Sequence, residues 1–294
     1  MKIAIYGQFY NNRSQQTTGK LLKLLERPDL EVFIESDFHE LLKNDDELSI
    51  SNFFGTFETL DSSYDLFISI GGDGTILRAA TIVKDLAIPI VGINTGRLGF
   101  LATIQIENLE LAFEDILKGN YKISERSLLE FNTTPSHPNA FEDFNFALND
   151  IAISRNNTTS MITVETTLNG EYLTSYWADG LIISTPTGST GYSLSCGGPV
   201  IMPEADSFIL TPIAPHNLSA RPLVIPGSTE ITLKVSGREE DYLVSLDSRL
   251  ATVENSYTLV IKKAPFCIKL IELNDVSFLD TLRKKLLWGE DKRN

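Results

Sequence analysis

The chain has 294 residues, 42% hydrophobic and 22% charged, enough apolar material for about two domains of roughly 150 residues, which excludes wholesale disorder. Its net charge of −14, from 25 basic and 39 acidic residues, argues against nucleic-acid or anionic-membrane partners, which need basic faces; small phosphorylated ligands stay open, because backbone N–H groups and one or two cations can hold them. The absence of a run of about 18 apolar residues, of a leader-like start, and of cysteines other than Cys196 and Cys267 leads to the expectation of a cytoplasmic protein without a disulfide framework.

Residues 2–6 (KIAIY) predict a buried strand and 19–26 (GKLLKLLE) an amphipathic helix, whereas 44–59 carry little pattern and read as a long surface loop. A strand over 65–70 (DLFISI) runs straight into Gly71-Gly72-Asp73-Gly74-Thr75; a helix over 76–84, a strand over 88–94 (IPIVGIN) and a helix over 107–118 (ENLELAFEDILK) follow. Strands alternating with helices predict an open parallel sheet, a Rossmann-like α/β domain over 1–120. Beyond 120 the texture changes. Residues 161–168 (MITVETTL), 180–184 (GLIIS), 230–235 (EITLKV), 242–246 (YLVSL) and 257–262 (YTLVIK) are short, rich in β-branched residues and separated by turn residues. They predict an all-β domain of sandwich type over 121–270. The tail, 271–294, contains a helical stretch over 277–288 with Phe278, Leu282, Leu286 and Leu287 on one side. It is expected to pack on the first domain.

The loop Gly71–Thr75 sits where ligands of open α/β sheets bind, beyond the carboxyl end of a strand and at the start of a helix. Gly71, Gly72, Gly74 and Thr75 read as a phosphate loop, since glycines let the backbone approach an anion closely. A carboxylate repels phosphate, so Asp73 suits a different role, that of orienting a substrate hydroxyl and accepting its proton in phosphoryl transfer. The plainer alternative is that Asp73 caps the helix. Arg78, four residues past Gly74, either aims a cation at phosphates over the loop or is solvated on the surface. G-x-G-x-x-G and G-x-x-x-x-G-K-[ST] are both absent, and His39, His137 and His216 form no metal-ligand pattern.

Asn149-Asp150 offers a donor and acceptors to a base edge and ribose hydroxyls, or is simply a turn. Thr187–Ser195 alternates hydroxyls and glycines after Pro186, which suits a sugar–phosphate–base ligand as well as a polar connection. Within it Tyr192 either stacks on a base or fills the core. Asp179 accepts from a ribose or amide, or begins the strand after a turn. His216 is given no catalytic role.

Taken together, Gly71–Thr75, the stretch Asn94-Thr95-Gly96-Arg97-Leu98-Gly99-Phe100-Leu101, Asn149-Asp150, the long block Asp179–Ser195, Pro215–Leu223 and the region 282–289 resemble the NAD kinase family, in order, from about residue 65 to the end. The resemblance implies an α/β N-terminal domain and an all-β C-terminal domain with the dinucleotide between them. It also implies a homodimer or homotetramer, a divalent cation (Mg²⁺, arriving with ATP, with no protein ligand assigned), and ATP-dependent phosphorylation of the adenosine ribose 2′-hydroxyl of NAD to give NADP. Carried over by position, Asp73 is the proton acceptor, with Gly74 beside it and Arg78 near the dinucleotide phosphates. Asn149 and Asp150 hold the adenosine end. Asp179, Thr190, Gly191, Tyr192, Ser193, Leu194 and Ser195 line the rest, with Ala214 on a bordering segment. The chain departs from the family pattern at Gly191, where alanine is common, and at Asp150, where glutamate is frequent. It departs again at Trp177, a position often polar or basic, and at Arg249, which replaces a usual glutamine. A lipid kinase of the diacylglycerol or sphingosine type shares the glycine loop but lacks the long block; a non-catalytic dinucleotide-binding protein would keep the block and need no acid at 73.

Overall fold

The computed structural model describes the whole chain except residues 9–11, 46, 47, 49, 97, 138–140, 142, 143, 157–159, 275, 276 and 288–294, and except the side chains of Asn12 and Arg13. It divides into two compact units, Met1–Glu125 with Ile268–Asn294, and Arg126–Cys267.

The first unit contains β1 (Lys2–Gly7), α1 (Asn12–Leu25), β2 (Glu31–Glu35), α2 (Ser36–Lys43), β3 (Gly55–Phe57), β4 (Leu66–Gly71), α3 (Asp73–Val83), β5 (Ile90–Asn94), β6 (Ile104–Gln105) and α4 (Leu109–Leu117). The strands pair in parallel in the order β3-β2-β1-β4-β5, with β6 beside β5. That is the Rossmann-like order, and it reverses next to β4, so the loop leaving β4 lies at the switch point where such sheets bind ligands. Strand residues Ile3, Ile5, Ile34 and Ile68 and helix residues Leu21, Leu25, Phe38, Leu42 and Phe113 share one buried cluster.

α1 starts well before the predicted helix. Its first half is polar, and Ser14, Thr17 and Thr18 are buried; the Thr18 hydroxyl bonds the Ser14 carbonyl at 2.9 Å. Hydroxyls satisfied inside a helix can be buried with no apolar period to announce them. The stretch 44–59 is not simply a surface loop. Phe54 and Phe57 are buried, and β3 pairs with β2 at the sheet edge.

The second unit contains β7 (Tyr121–Thr134), β8 (Phe146–Ala147), β9 (Asp150–Arg155), β10 (Ile162–Leu168), β11 (Glu171–Ala178), β12 (Gly180–Ser184), α5 (Tyr192–Ser195), β13 (Ser207–Ile213), β14 (Leu223–Pro226), β15 (Ile231–Ser236), β16 (Asp241–Leu246), β17 (Arg249–Glu254) and β18 (Thr258–Leu273). One sheet runs β11-β10-β15-β18, with β7 on β18 and β8 on β7; the other runs β14-β13-β12-β9-β16-β17. Alternate residues of both, among them Val164, Leu233 and Ile261 from the first and Ile151, Leu181, Ile183 and Val244 from the second, form one buried cluster. This is a sandwich, as the period-two segments predict.

The division between the units falls inside two long strands, after Glu125 in β7 and after Cys267 in β18. No turn residue marks either point, whereas the change of texture in the sequence lies at 120 and 270. The end of β18 pairs with β5 through Leu270 and Ile90. The last helix, α6 (Phe278–Leu286), belongs to the first unit. Ser277 caps it by accepting the Asp280 N–H at 3.1 Å, and Leu282 is buried. Leu287 ends it in the left-handed conformation, φ 54°, and is exposed, because the helical phase that would turn it inward stops one residue earlier. Trp288 and Gly289 lie outside the described residues. Among the described residues no helix is long and apolar enough to cross a membrane.

Candidate functional site

In the first unit the loop leaving β4 folds as a close turn. A Cβ on Gly71, at φ 156°, would stand 2.1 Å from the Thr75 hydroxyl, so only glycine fits there. Gly72 and Gly74 differ. Both are exposed, and a Cβ on either would meet nothing within 4 Å. The fold itself does not require glycine at these two positions, and the space their missing side chains leave lies at the N-terminus of α3, where unpaired N–H groups favour an anion.

Asp73 is the first residue of α3, yet it does not cap it. The N-cap is Gly72, with no side-chain cap bond. The Asp73 carboxylate turns instead to the loop after β5. Its Oδ2 accepts the N–H of Phe100 at 2.8 Å, and its Oδ1 accepts those of Leu101 and Ala102, each at 3.0 Å. Oδ1 is thereby filled, and Oδ2 keeps a lone pair for a further donor. The partner loop is tied at its base. The Asn94 amide donates to Ala102 O at 3.1 Å and accepts from Gly96 N–H at 2.7 Å. A Cβ on Gly99 would lie 1.9 Å from Asp73 Oδ1, so this glycine is what lets the carboxylate reach its amides. Arg78 is exposed on α3, one turn beyond Gly74 and on the same stripe. Arg97, in the same stretch, lies outside the described residues.

In the second unit Asn149 and Asp150 enter β9 with their backbone held from two sides. The Asp247 carboxylate accepts the N–H groups of Leu148 (3.0 Å), Asn149 (2.8 Å) and Asp150 (3.2 Å). Thr185 donates its hydroxyl to Leu148 O at 2.6 Å and its N–H to Asn149 O at 2.9 Å. A Cβ on Gly188 would lie 2.0 Å from Asn149 O, so the turn after β12 presses directly onto the pair. With the backbone satisfied, both side chains are free for something else. Among the described residues nothing hydrogen-bonds the Asp150 carboxyl, although Asp150 is only 5% exposed. Burial, and then the Asp247 charge, push it up to about 7. Burial also pushes Asp247 up, while its three backbone donors and the Arg249 guanidinium pull it back. The donors are on Asp247, so near neutrality the pair keeps its negative charge there. Asp247 is missing from the sequence-based site because an aspartate at a hairpin tip reads as a turn residue.

The remaining candidates gather more loosely. Tyr192 is half exposed, and its hydroxyl is pushed up by burial and then by the charges of Cys196, Asp150 and Asp179. A Cβ on Gly191 would stand 3.2 Å from Gly188 O, 3.6 Å from the Asn149 amide nitrogen and 3.7 Å from Asp150 Oδ2. Thr190 bonds back to Thr187 O at 3.2 Å. Ser193 points inward, buried against the Thr211 hydroxyl at 2.8 Å, and serves the turn rather than an open surface; Leu194 is half-buried and Ser195 exposed. Asp179 pairs with Arg155 Nε at 3.0 Å. Next to it across the strand pair, Ala214 is exposed with φ 44°. Trp177 stacks on His216 with ring centroids 4.3 Å apart, so neither is a lone polar group. Arg249 donates to the carbonyls of Phe144 and Phe146 and is thereby committed to the backbone. Cys196 and Cys267 form no disulfide. Among the described residues no group of three or more His, Cys, Asp or Glu is placed to hold a metal ion.

Comparison with known proteins gives a consistent result across the chain. The family model described as the ATP-NAD kinase N-terminal domain matches residues 3–121, and that of the C-terminal domain matches residues 148–273. The chain is 60% identical to the NAD kinase of Christiangramia forsetii and 58% identical to that of Flavobacterium psychrophilum, with both proteins covered completely in each case. In fold it is similar to yeast NADH kinase solved with NADH (TM-score 0.85, 23% identity, 99% of this chain and 88% of that one). It is also similar to an Archaeoglobus fulgidus NAD kinase solved with ATP (TM-score 0.75, 26% identity, 98% and 99%).

Proposed function

The chain belongs to the NAD kinase family, and from that premise we propose that ATP is the donor, the 2′-hydroxyl of the adenosine ribose of NAD the acceptor, and Asp73 the group that takes the proton. That the chain is an enzyme phosphorylating NAD follows from full-length identity to NAD kinases. The same matches leave no support for a lipid substrate.

One observation carries the role of Asp73. It is a carboxylate seated by three backbone amides at the start of α3, between two glycines whose vacant Cβ positions touch no protein atom. A ribose hydroxyl is too weak an acid to be ionised in advance by a carboxylate. Asp73 Oδ2 therefore accepts the hydroxyl as a hydrogen-bond donor, aligns its oxygen with the γ-phosphorus, and takes the proton late. In a loose transition state, positioning and charge neutralisation supply most of the rate. The open N–H groups at the start of α3 and Arg78 receive phosphate oxygens. Asn149 reads an adenine edge, Asp150 accepts from ribose hydroxyls, and Tyr192 with the 187–195 turn closes over the sugar. The same reading gives Asp179 and Ala214 to the far end of the dinucleotide, Thr190 and Gly191 to close backbone contact, and Ser193, Leu194 and Ser195 to holding that turn in shape.

The divalent cation of this reading, Mg²⁺, would take its ligands from the ATP phosphates and water. When bound it neutralises phosphate charge. A cytoplasmic location and a homodimeric or homotetrameric assembly complete the proposal; light scattering checks the assembly. The test of function is an incubation of the protein with ATP and NAD, its product offered to an NADP-specific dehydrogenase. Reduction of that product is the expected result. NAD binding without ATP consumption would instead favour a non-catalytic dinucleotide-binding protein.

A further inference from the structure

The three amides that seat Asp73 are not equally secure. Ala102 is buried; its carbonyl is held by Asn94, and its Cα lies only 2.7 Å from where a Cβ on Gly92 would stand, so its N–H is fixed by the core of the sheet. Phe100 is at the other end of the seat. Its ring contacts the C-terminal helix at two points: the Phe278 ring, with centroids 6.0 Å apart at 42°, and the Lys285 ammonium, 4.8 Å from the Phe100 centroid. Phe278 and Lys285 are seven residues apart, so two turns of α6 present them on one face. Leu282, between them, is buried and roots the helix.

We infer that α6 is a positioning element for the proton acceptor: Phe278 and Lys285 hold Phe100, whose N–H fixes Asp73 Oδ2, the oxygen with the open lone pair. The inference rests on the reading of Asp73 given above. Phe278 and Lys285 act through Phe100 and so belong to positioning, not to the chemistry. Misplacing a reacting group by about 1 Å can cost on the order of 100-fold in rate, so partial loosening of the seat should lower kcat by about 10-fold. KM for NAD and ATP should stay within about two-fold, because the groups given to ligand binding are untouched.

The experiment compares Phe278→Ala, Lys285→Ala and Lys285→Arg with Leu279→Ala, a variant at an exposed position of the same helix. Steady-state kinetics are measured for each, and Phe278→Ala is repeated in an Asp73→Asn background. Expected are the kcat losses above, recovery with Lys285→Arg because a guanidinium also sits on a ring face, wild-type behaviour for Leu279→Ala, and disappearance of the Phe278→Ala effect once residue 73 is Asn. A raised KM with unchanged kcat, or a Phe278→Ala factor that multiplies in full on Asp73→Asn, overturns the inference. Lys285 is exposed, so its variants answer the question even if Phe278→Ala does not fold. Amide hydrogen exchange provides a readout independent of activity. The Phe100 and Leu101 amides should exchange at least about 10-fold faster in Phe278→Ala, with Ala102 still protected; unchanged exchange overturns the inference. Absence of NADP formation by the wild type would instead overturn the reading of Asp73, leaving the exchange result to judge the seat.

Discussion

Replacing Asp150 by asparagine should make the protein more stable at alkaline pH while weakening its hold on NAD. The carboxyl is 5% exposed, has no donor among the described residues, and is pushed up to about 7 by burial and the Asp247 charge. In the unfolded chain an aspartate titrates at about 3.9. Between those two values the folded protein holds a proton that the unfolded one has released, so folding loses stability as pH rises from about 4 to about 7. At about 1.36 kcal/mol for each of roughly three pH units, the full penalty above pH 7 is about 4 kcal/mol. An amide does not ionise and escapes it. At about 2–4 °C per kcal/mol, Asp150→Asn should raise Tm by roughly 10 °C at pH 8. It should change Tm little at pH 4, where the folded wild type is protonated and the unfolded one only about half ionised, so that little of the penalty has accrued. Scanning calorimetry or dye-monitored melting of both proteins at the two pH values is the assay. A gain of equal size at pH 4 and pH 8, or a loss at pH 8, would refute the reasoning, because either would mean that ionisation is not what the site costs.

Asp73→Asn should lower turnover by at least about 100-fold, the usual range for a lost proton acceptor, while NAD still binds within a few-fold by calorimetric titration; near-full turnover would remove Asp73 from the chemistry. Ribose hydroxyls donate to an ionised Asp150 better than to a protonated one, so KM for NAD should fall as pH rises through about 7. In Asp150→Asn, that profile should be flat. Gly188→Ala should destabilise the protein by about 1–3 kcal/mol, read by urea melts, since its Cβ meets backbone it cannot displace cheaply. Gly74→Ala should leave Tm unchanged, because no protein atom lies near, yet raise KM for ATP or NAD.

Much of this architecture is legible in the residues. The alternation of apolar strands and amphipathic helices predicts the parallel sheet, and the β-branched period-two segments predict the sandwich, because burial on one face or on two writes a repeat into the chain. What escapes is burial achieved by other means. The first half of α1 hides hydroxyls that bond within the helix, and β2, α2 and β3 are too short to build a repeat. The unit boundaries fall inside strands where no turn residue is needed. At the site, Asp73 stands out as an acid inside a glycine loop, whereas Asn149-Asp150 alone reads as a turn and is singled out by its place in the ordered set of motifs. The groups that hold them do not stand out: the amides of Phe100–Ala102 belong to backbone that any sequence has, and Asp247 lies 97 positions from Asp150, at a hairpin tip where aspartate is ordinary.

Three aspartates set out the division of labour. Asp73 and Asp247 each receive three backbone N–H groups, so each fixes a stretch of chain, and their removal should cost structure as well as activity. Asp150 receives none from the described residues and is buried nonetheless. A protein gains nothing in stability from such a group, and isosteric removal of its charge would strengthen the fold. Its presence therefore points outward, to a ligand that brings its own donors. A ribose carries two adjacent hydroxyls that can reach one carboxylate together, and the Asn149 amide beside it suits the base attached to that ribose. That requirement is in keeping with the role proposed for Asp150, accepting from the hydroxyls of the adenosine ribose.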